Sequence, residues 1–322
     1  MATFFSSLTR VTFCLLFTVT TTSSWAQEST TAPAQEAPAE QNSQQTVSTA
    51  ADEQTKESQT PENQAASQDQ MMSPEVPDYF FEQHSKDIAH YLMEVSSVLV
   101  GIESFALLEK KSVTPVNKGI VLLLPDWHDF LSPSQHIAHL AQSLPALGYS
   151  TISIQPLAKP QNYPSIALTE VEQAEQNQKI IDDYLQSLEQ LMNAVMEKAQ
   201  QQQGAIIVIT AGNNTGFLMS LYHQERVELP QAMIMLSGYQ LTQQNNAMLA
   251  SQLSDSDLPI LDLYLKYDNL LVAPNVLLRK QEAQRNLKAE YRQYQLTNFE
   301  TGYYPQEPMT RAIISWLKAM GW

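Results

Sequence analysis

AIIVITAGNNTGFLMSLYHQ, residues 205–224, opens with a run of apolar residues, breaks at a polar turn bounded by glycines, and resumes with apolar residues at helical spacing. A run that is apolar on both faces suits a strand buried inside a parallel sheet, and the restart suits a helix packed back onto that sheet. The same alternation recurs on both sides. Upstream, GIVLLL (119–124) reads as a buried strand, followed by a polar loop and by HIAHLAQSLPALG (136–148), where Ile137, Leu140, Leu144 and Leu147 repeat at helical spacing. Gly148 then closes that helix as a C-terminal cap. TISIQ (151–155) is the next strand, and a proline-containing loop leads into a long polar helix near residues 169–202 with one apolar stripe of Ile181, Leu185, Leu188, Met192 and Val195.

Downstream, AMIML (232–236), PILDLY (259–264) and YRQYQL (291–296) supply further strands, with helical segments near residues 241–250, 274–289 and 308–320. VLVGIESFALLEK (98–110) suits one or two leading antiparallel strands. The fold class is therefore α/β: a mostly parallel central sheet with helices on both faces.

The organisation of the whole chain follows from composition. MATFFSSLTR carries one positive charge and no acid, and it runs into an apolar stretch too short for a stable transmembrane helix. With Ser24 and Ala26 ahead of a cleavage point, residues 1–26 read as a secretory signal peptide and the mature chain as starting at Gln27, in the periplasm or otherwise exported. An uncleaved anchor is the alternative. Residues 27–72 hold no aromatic residue, eight acids and one base, Lys56. Such a segment cannot offset its ordering entropy and reads as a disordered acidic leader, either a plain spacer or a docking segment. Residues 73–322 are then one domain.

The single cysteine, Cys14, lies inside the signal, so neither a disulfide scaffold nor a thiolate nucleophile is expected in the mature protein. The formal net charge of −16 and the lack of a basic groove argue against nucleic acid as a partner. No second apolar run has membrane length, so no stable span is expected after processing.

Functional groups of a parallel sheet gather at the C-terminal ends of its strands. Three such ends carry polar residues: the loop PDWHD (125–129), the turn 212–216, and the loop holding Asp268. The turn has the form of a nucleophile elbow, and its central residue is Asn214, flanked by Gly212, Thr215 and Gly216. A carboxamide has no deprotonable oxygen to activate, so a structural turn or a binding role competes with chemistry there. Asp126, His128 and Asp129 are ligand-type residues, and His136 and His139, three positions apart on one helix face, could join them around zinc, but H-x-x-H is a weak pattern and no bound metal or other cofactor is expected. Trp127 would line or cover the crevice, or simply pack. Asp262 interrupts an apolar strand and must be paired or lie at a solvated edge. Tyr303 and Tyr304 suit either a binding lip or ordinary packing.

The order of IVLLLPDWHD, LAQSLPALGYSTISIQPL, IIVITAGNNTG, LPILDLYLKYDN and RAIISWLKAMG resembles the α/β-hydrolase fold. More closely, it is similar to the exported bacterial family known as the domain of unknown function thirty-five thirty, itself hydrolase-like, over residues 80–322. The resemblance implies a triad with serine at position 214, an acid at Asp268 and a histidine after the last strand. Only the acid is present. His223 is the last histidine in the chain, and Asn298 and Glu300 stand where the histidine is expected. Asp126 replaces the usual oxyanion-side residues, and a carboxylate there would oppose a developing oxyanion unless protonated or turned away. The reading is a noncatalytic binding or envelope-associated domain, with a small molecule or an envelope protein as partner. The competing reading is a hydrolase of ester, thioester or amide bonds with noncanonical or metal-assisted chemistry.

Amino-terminal sequencing of the protein recovered from the periplasm is expected to begin at or near Gln27. Recovery of full-length chain from the cytoplasm would reject the export reading.

Overall fold

The computed structural model describes residues 94–129 and 134–322. The expected signal peptide and acidic leader lie outside the described residues. Among the described residues, eight strands form one sheet: β1 (Glu94–Val100), β2 (Glu103–Lys110), β3 (Gly119–Leu124), β4 (Tyr149–Ile154), β5 (Ala205–Ala211), β6 (Ala232–Leu236), β7 (Ile260–Leu265) and β8 (Tyr291–Leu296), in the order β1-β2-β4-β3-β5-β6-β7-β8. β1 and β2 pair antiparallel with each other, and β2 pairs antiparallel with β4. The remaining pairings are parallel. Among the described residues, six α-helices cover the sheet: α1 (Gln135–Ser143), α2 (Glu170–Gln200), α3 (Asn214–His223), α4 (Gln243–Asp255), α5 (Ala273–Arg285) and α6 (Gln306–Ala319).

Side chains alternate across each strand, so every central strand must be apolar in both registers. In β3, Ile120, Leu122 and Leu124 join the core under α2, α3 and α4, while Val121 and Leu123 face α1 and α6. Ile206 and Val208 of β5 repeat the first pattern, Ile207 and Ile209 the second. β8 is an edge strand, and its exposed Arg292 and Tyr294 match its more polar sequence.

The long helix α2 starts at Thr169, whose hydroxyl accepts from the Glu172 amide at 3.2 Å, and Glu170 and Glu172 meet the positive end of the helix dipole. Its expected stripe is the one that packs: Leu185, Leu188, Met192 and Val195 are buried, and Ile181 packs partly buried against the same core. α5 ends at Arg285, four residues earlier than the sequence pattern suggests, because Leu287 takes a left-handed φ of 52°. Among the described residues, no helix is long and apolar enough to cross a membrane.

Asp262 is paired rather than solvated. Arg279 of α5 forms a bidentate contact to it, Nε to Oδ2 at 2.8 Å and Nη2 to Oδ1 at 3.2 Å, with both side chains fully buried. Tyr291 and Gln293 donate to Oδ2 at 2.7 and 2.9 Å, and Arg279 also donates to the Gly238 carbonyl at 2.9 Å. β6, β7, β8 and α5 are thereby tied together at one point. Removing one partner leaves a buried charge without its counter-ion, so Asp262→Leu or Arg279→Met alone is expected to lower stability by about 3–5 kcal/mol in urea unfolding, and the combined replacement by less than either single change. Single variants that unfold like the wild type would contradict this.

Candidate functional site

The C-terminal ends of β3, β5, β6 and β7 open into a crevice of about 600 Å³ lined by Asp126, Asp129, Gly212, Ser237, Tyr239 and Asp268, with Ala211, Leu236, Leu270 and Val272 as its apolar surfaces. It lies where ligands bind in open α/β sheets.

The elbow is displaced from its sequence-based placement. β5 runs to Ala211, and the residue in the left-handed conformation directly after it is Gly212, φ 58°. Asn213 is already in the right-handed helical region, and α3 begins at Asn214. The strand-to-helix tip is therefore Gly212, two residues before the expected Asn214. The reason is local: the tip residue needs positive φ, which glycine supplies without strain, and a helical asparagine does not adopt it.

Asn214 instead points inward. It is fully buried, accepts from the Tyr184 hydroxyl at 2.7 Å and donates from Nδ2 to the Pro125 carbonyl at 2.7 Å. Both ends of its carboxamide are used to join α2, α3 and the β3 loop. Thr215 is also buried, with its hydroxyl 2.9 Å from that of Thr210. Gly216 leaves room for the Gln240 side chain, which a Cβ there would displace. None of these three residues lines the crevice.

The tip belongs to Asp126. A Cβ on Gly212 would lie 2.9 Å from the Asp126 Cβ and closer still to its carboxylate. Oδ1 of Asp126 accepts from the Trp127 amide at 2.8 Å and from the Asn213 amide at 3.2 Å, and the Tyr239 hydroxyl stands 3.5 Å from Oδ2. The amide just after the tip, which in an elbow is free to meet a developing oxyanion, is thus occupied by a carboxylate. Burial without a compensating cation pushes Asp126 up to about 7, against the opposing effect of the two amide donors.

Asp268 faces the same crevice. Its Oδ2 accepts from the Ser237 hydroxyl at 2.6 Å and from the Leu265 amide at 2.8 Å, and the buried Tyr304 hydroxyl donates to Ser237 Oγ. Ser237 follows β6 with a left-handed φ of 47°. His136 of α1 lines the crevice and its ring stacks against Tyr304 at 4.4 Å between centroids; burial pulls its pKa down to about 4.

The other expected site residues are arranged differently. His128 is exposed at the crevice, and burial together with Lys159 lowers its pKa. Trp127 is a core residue, buried among Tyr163, Tyr184 and Phe217 with centroids 5.4–5.9 Å away. Glu300 is exposed and does not line the crevice, because the buried Asn298 holds its backbone: Asn298 Nδ2 donates to the carbonyls of Tyr267 and Glu300. Tyr303 is exposed while Tyr304 enters the crevice. His139 turns away to Thr310 of α6, 3.1 Å between side chains. Among the described residues, no group of three or more His, Cys, Asp or Glu stands close enough to hold a metal ion. Sequence reasoning missed Gly212 as tip, although the first glycine directly after the apolar run marked it. It also missed Ser237 and Tyr239, which carry no motif.

Residues 9–319 match the family described as "Protein of unknown function (DUF3530)". The chain belongs to this family. Its members' description assigns no activity. Solved structures place the domain in the α/β-hydrolase fold: a candidate dienelactone hydrolase of Klebsiella pneumoniae subsp. pneumoniae aligns at 12% identity over 70% of this chain and 97% of its own, TM-score 0.50. A candidate carboxylesterase of Lactobacillus plantarum aligns at 12% identity over 71% and 98%, TM-score 0.50. Est1E of Butyrivibrio proteoclasticus aligns at 10% over 70% and 98%, again with TM-score 0.50. At these identities the likeness is one of fold, and fold alone does not transfer an activity. No curated protein matches the sequence.

The two shifted groups act on stability with opposite sign. Asp126, raised above its unfolded value, contributes stability that is present at low pH and lost as pH rises from about 4 to about 7. His136, depressed below its unfolded value, contributes stability that is lost as pH falls from about 6.5 to about 4. Asp126→Asn is therefore expected to shift the slope of stability against pH upward across that interval, and His136→Gln to shift it downward. Urea midpoints measured from pH 4 to 8 check both; equal slopes for the two variants would refute the assignment.

Proposed function

We propose that the domain is a noncatalytic member of the hydrolase-like superfamily, an exported, envelope-associated protein that binds a small molecule in the crevice at the C-terminal edge of its sheet. The observation that carries this reading is the Asp126 carboxylate: it takes the space of a side chain at the Gly212 tip and accepts from the Asn213 amide. An ester, thioester or amide carbonyl placed there would meet no hydroxyl on the elbow and no free amide behind it. While Asp126 is ionised, negative charge growing on a carbonyl oxygen would face a second oxygen instead of a donor. Position without an activated nucleophile retains affinity but cannot divide acyl transfer into two easier barriers. The leader of residues 27–72 fits this role as a spacer between the domain and its attachment or partner in the envelope.

The competing reading, a hydrolase with noncanonical residues, is favoured by one feature. Ser237 has a strained backbone, faces the crevice, and donates to Asp268 while accepting from Tyr304. A carboxylate is a far weaker base than imidazole at neutral pH, and this one already accepts the Leu265 amide on the same oxygen.

The deciding experiment screens the full mature chain against activated short-chain esters, thioesters and amides, with Ser237→Ala and Asp126→Asn in parallel. Turnover no greater than that of a heat-inactivated sample is the expected outcome. Saturable turnover by the wild type that Ser237→Ala abolishes, with its unfolding midpoint unchanged, would sink the noncatalytic reading in favour of the second.

A further inference from the structure

The crevice has acids with no base to balance them. Its charged and titratable lining groups are Asp126, His128 and Asp129 from the loop after β3, His136 from α1 and Asp268 after β7, together with the phenols of Tyr239 and Tyr304; no lysine or arginine is among the lining residues. Lys159 acts on the exposed His128. Elsewhere the molecule balances its less exposed carboxylates. Asp262 has Arg279, Glu109 has Lys198 and Glu189 has Arg226. No salt bridge among the described residues reaches Asp126, Asp129 or Asp268.

Two features of shape and surface define what would complete the charge. The carboxylates line a crevice of about 600 Å³ and stand too far apart to hold a metal ion together, which leaves room for an organic cation that meets one or two of them. The same lining carries apolar side chains, Leu236, Leu270 and Val272, with Tyr239 and Tyr304 beside them, surfaces that take alkyl groups. We propose that the crevice is a site for a small organic cation: an alkylammonium group seated among Asp126, Asp129 and Asp268, with its hydrocarbon part against Tyr239, Tyr304 and Leu236. This deepens the binding reading above and rests on it.

The surrounding electrostatics agree with that assignment. Burial and then the nearby carboxylates raise Tyr239 and Tyr304 far above the usual phenol range: Asp126 and Asp129 act on the first, and Asp268, Asp262 and Asp126 on the second. Both phenols stay protonated. His136, pulled down to about 4, stays neutral at physiological pH and adds no competing charge. An arriving cation favours the ionised form of Asp126, which without it titrates at about 7, so binding near neutrality releases a fraction of a proton.

The test uses the full mature chain and three probes on one carbon skeleton: cyclohexylmethylammonium, cyclohexylmethanol and cyclohexanecarboxylate. Calorimetric titration at pH 7, in two buffers of different protonation enthalpy, is paired with the amide resonances of Gly212, Ser237 and Gly302. The ammonium probe is expected to bind about tenfold or more tighter than the alcohol, to release protons, and to move those three resonances, with the carboxylate weakest. Asp126→Asn and Asp268→Asn should each weaken the ammonium probe alone; if either variant fails to fold, the charge series on the wild type still decides. Alcohol binding as tight as ammonium binding, with the same resonances moving, would overturn the cation assignment and leave the binding crevice standing. If no probe of any charge moves those resonances, both the assignment and the binding reading fall.

Discussion

A single carboxylate, that of Asp126, organises the turn between β5 and α3. Asp126 leaves β3 through Pro125, turns toward the tip of the β5 turn and accepts the Asn213 amide, and its presence requires glycine at position 212. A side chain at 212 and a carboxylate at 126 exclude each other sterically. The free amide of an elbow and an acceptor at 126 exclude each other as well, since one N–H cannot serve both. The pair therefore describes one state of the turn, in which the space of nucleophile and oxyanion is filled from a neighbouring strand.

The rest of the site is built around that arrangement. Tyr239 bridges Asp126 and the Asn213 side chain, and Gln240 donates to the Asn213 carbonyl. Asn214 locks the first turn of α3 to α2 and to the Pro125 carbonyl. On the far side of the crevice the Asp262–Arg279 pair fixes β7 and α5, and so the strand end from which Asp268 projects. The crevice between them is acidic and partly apolar.

Much of this was legible without coordinates. The strands of the parallel sheet were visible because a strand covered on both faces must be apolar in both registers, as GIVLLL and AIIVIT are. The stripe of α2 was visible because packing selects one helix face. The need to pair Asp262 followed from the cost of burying a charge, though its partner, seventeen residues on, did not. Asp126 and Asp268 stood out as acids at strand ends. The elbow's register, by contrast, was misplaced by two residues: Gly212 and Gly216 bracket position 214 symmetrically, and symmetry of spacing does not reveal which residue takes positive φ. Glu300 looked like a substitute base from its position after β8, but the Asn298 hydrogen bonds hold that loop elsewhere.

What the sequence determined by itself was the class of fold, the lack of serine in the 212–216 turn and of histidine beyond His223, and the acidity of the loops at the strand ends, all properties of residue type and periodicity. Only the tertiary structure decided that Asp126 fills the elbow tip, that Asn214 is an internal brace, and that Ser237, Tyr239 and Tyr304 form the crevice wall. These depend on meetings across 26 to 113 residues of chain, as between Asn213 and Tyr239 or Asp126 and Tyr239, where no local pattern constrains which side chains touch. Their positions are set by the order and twist of the strands that carry them.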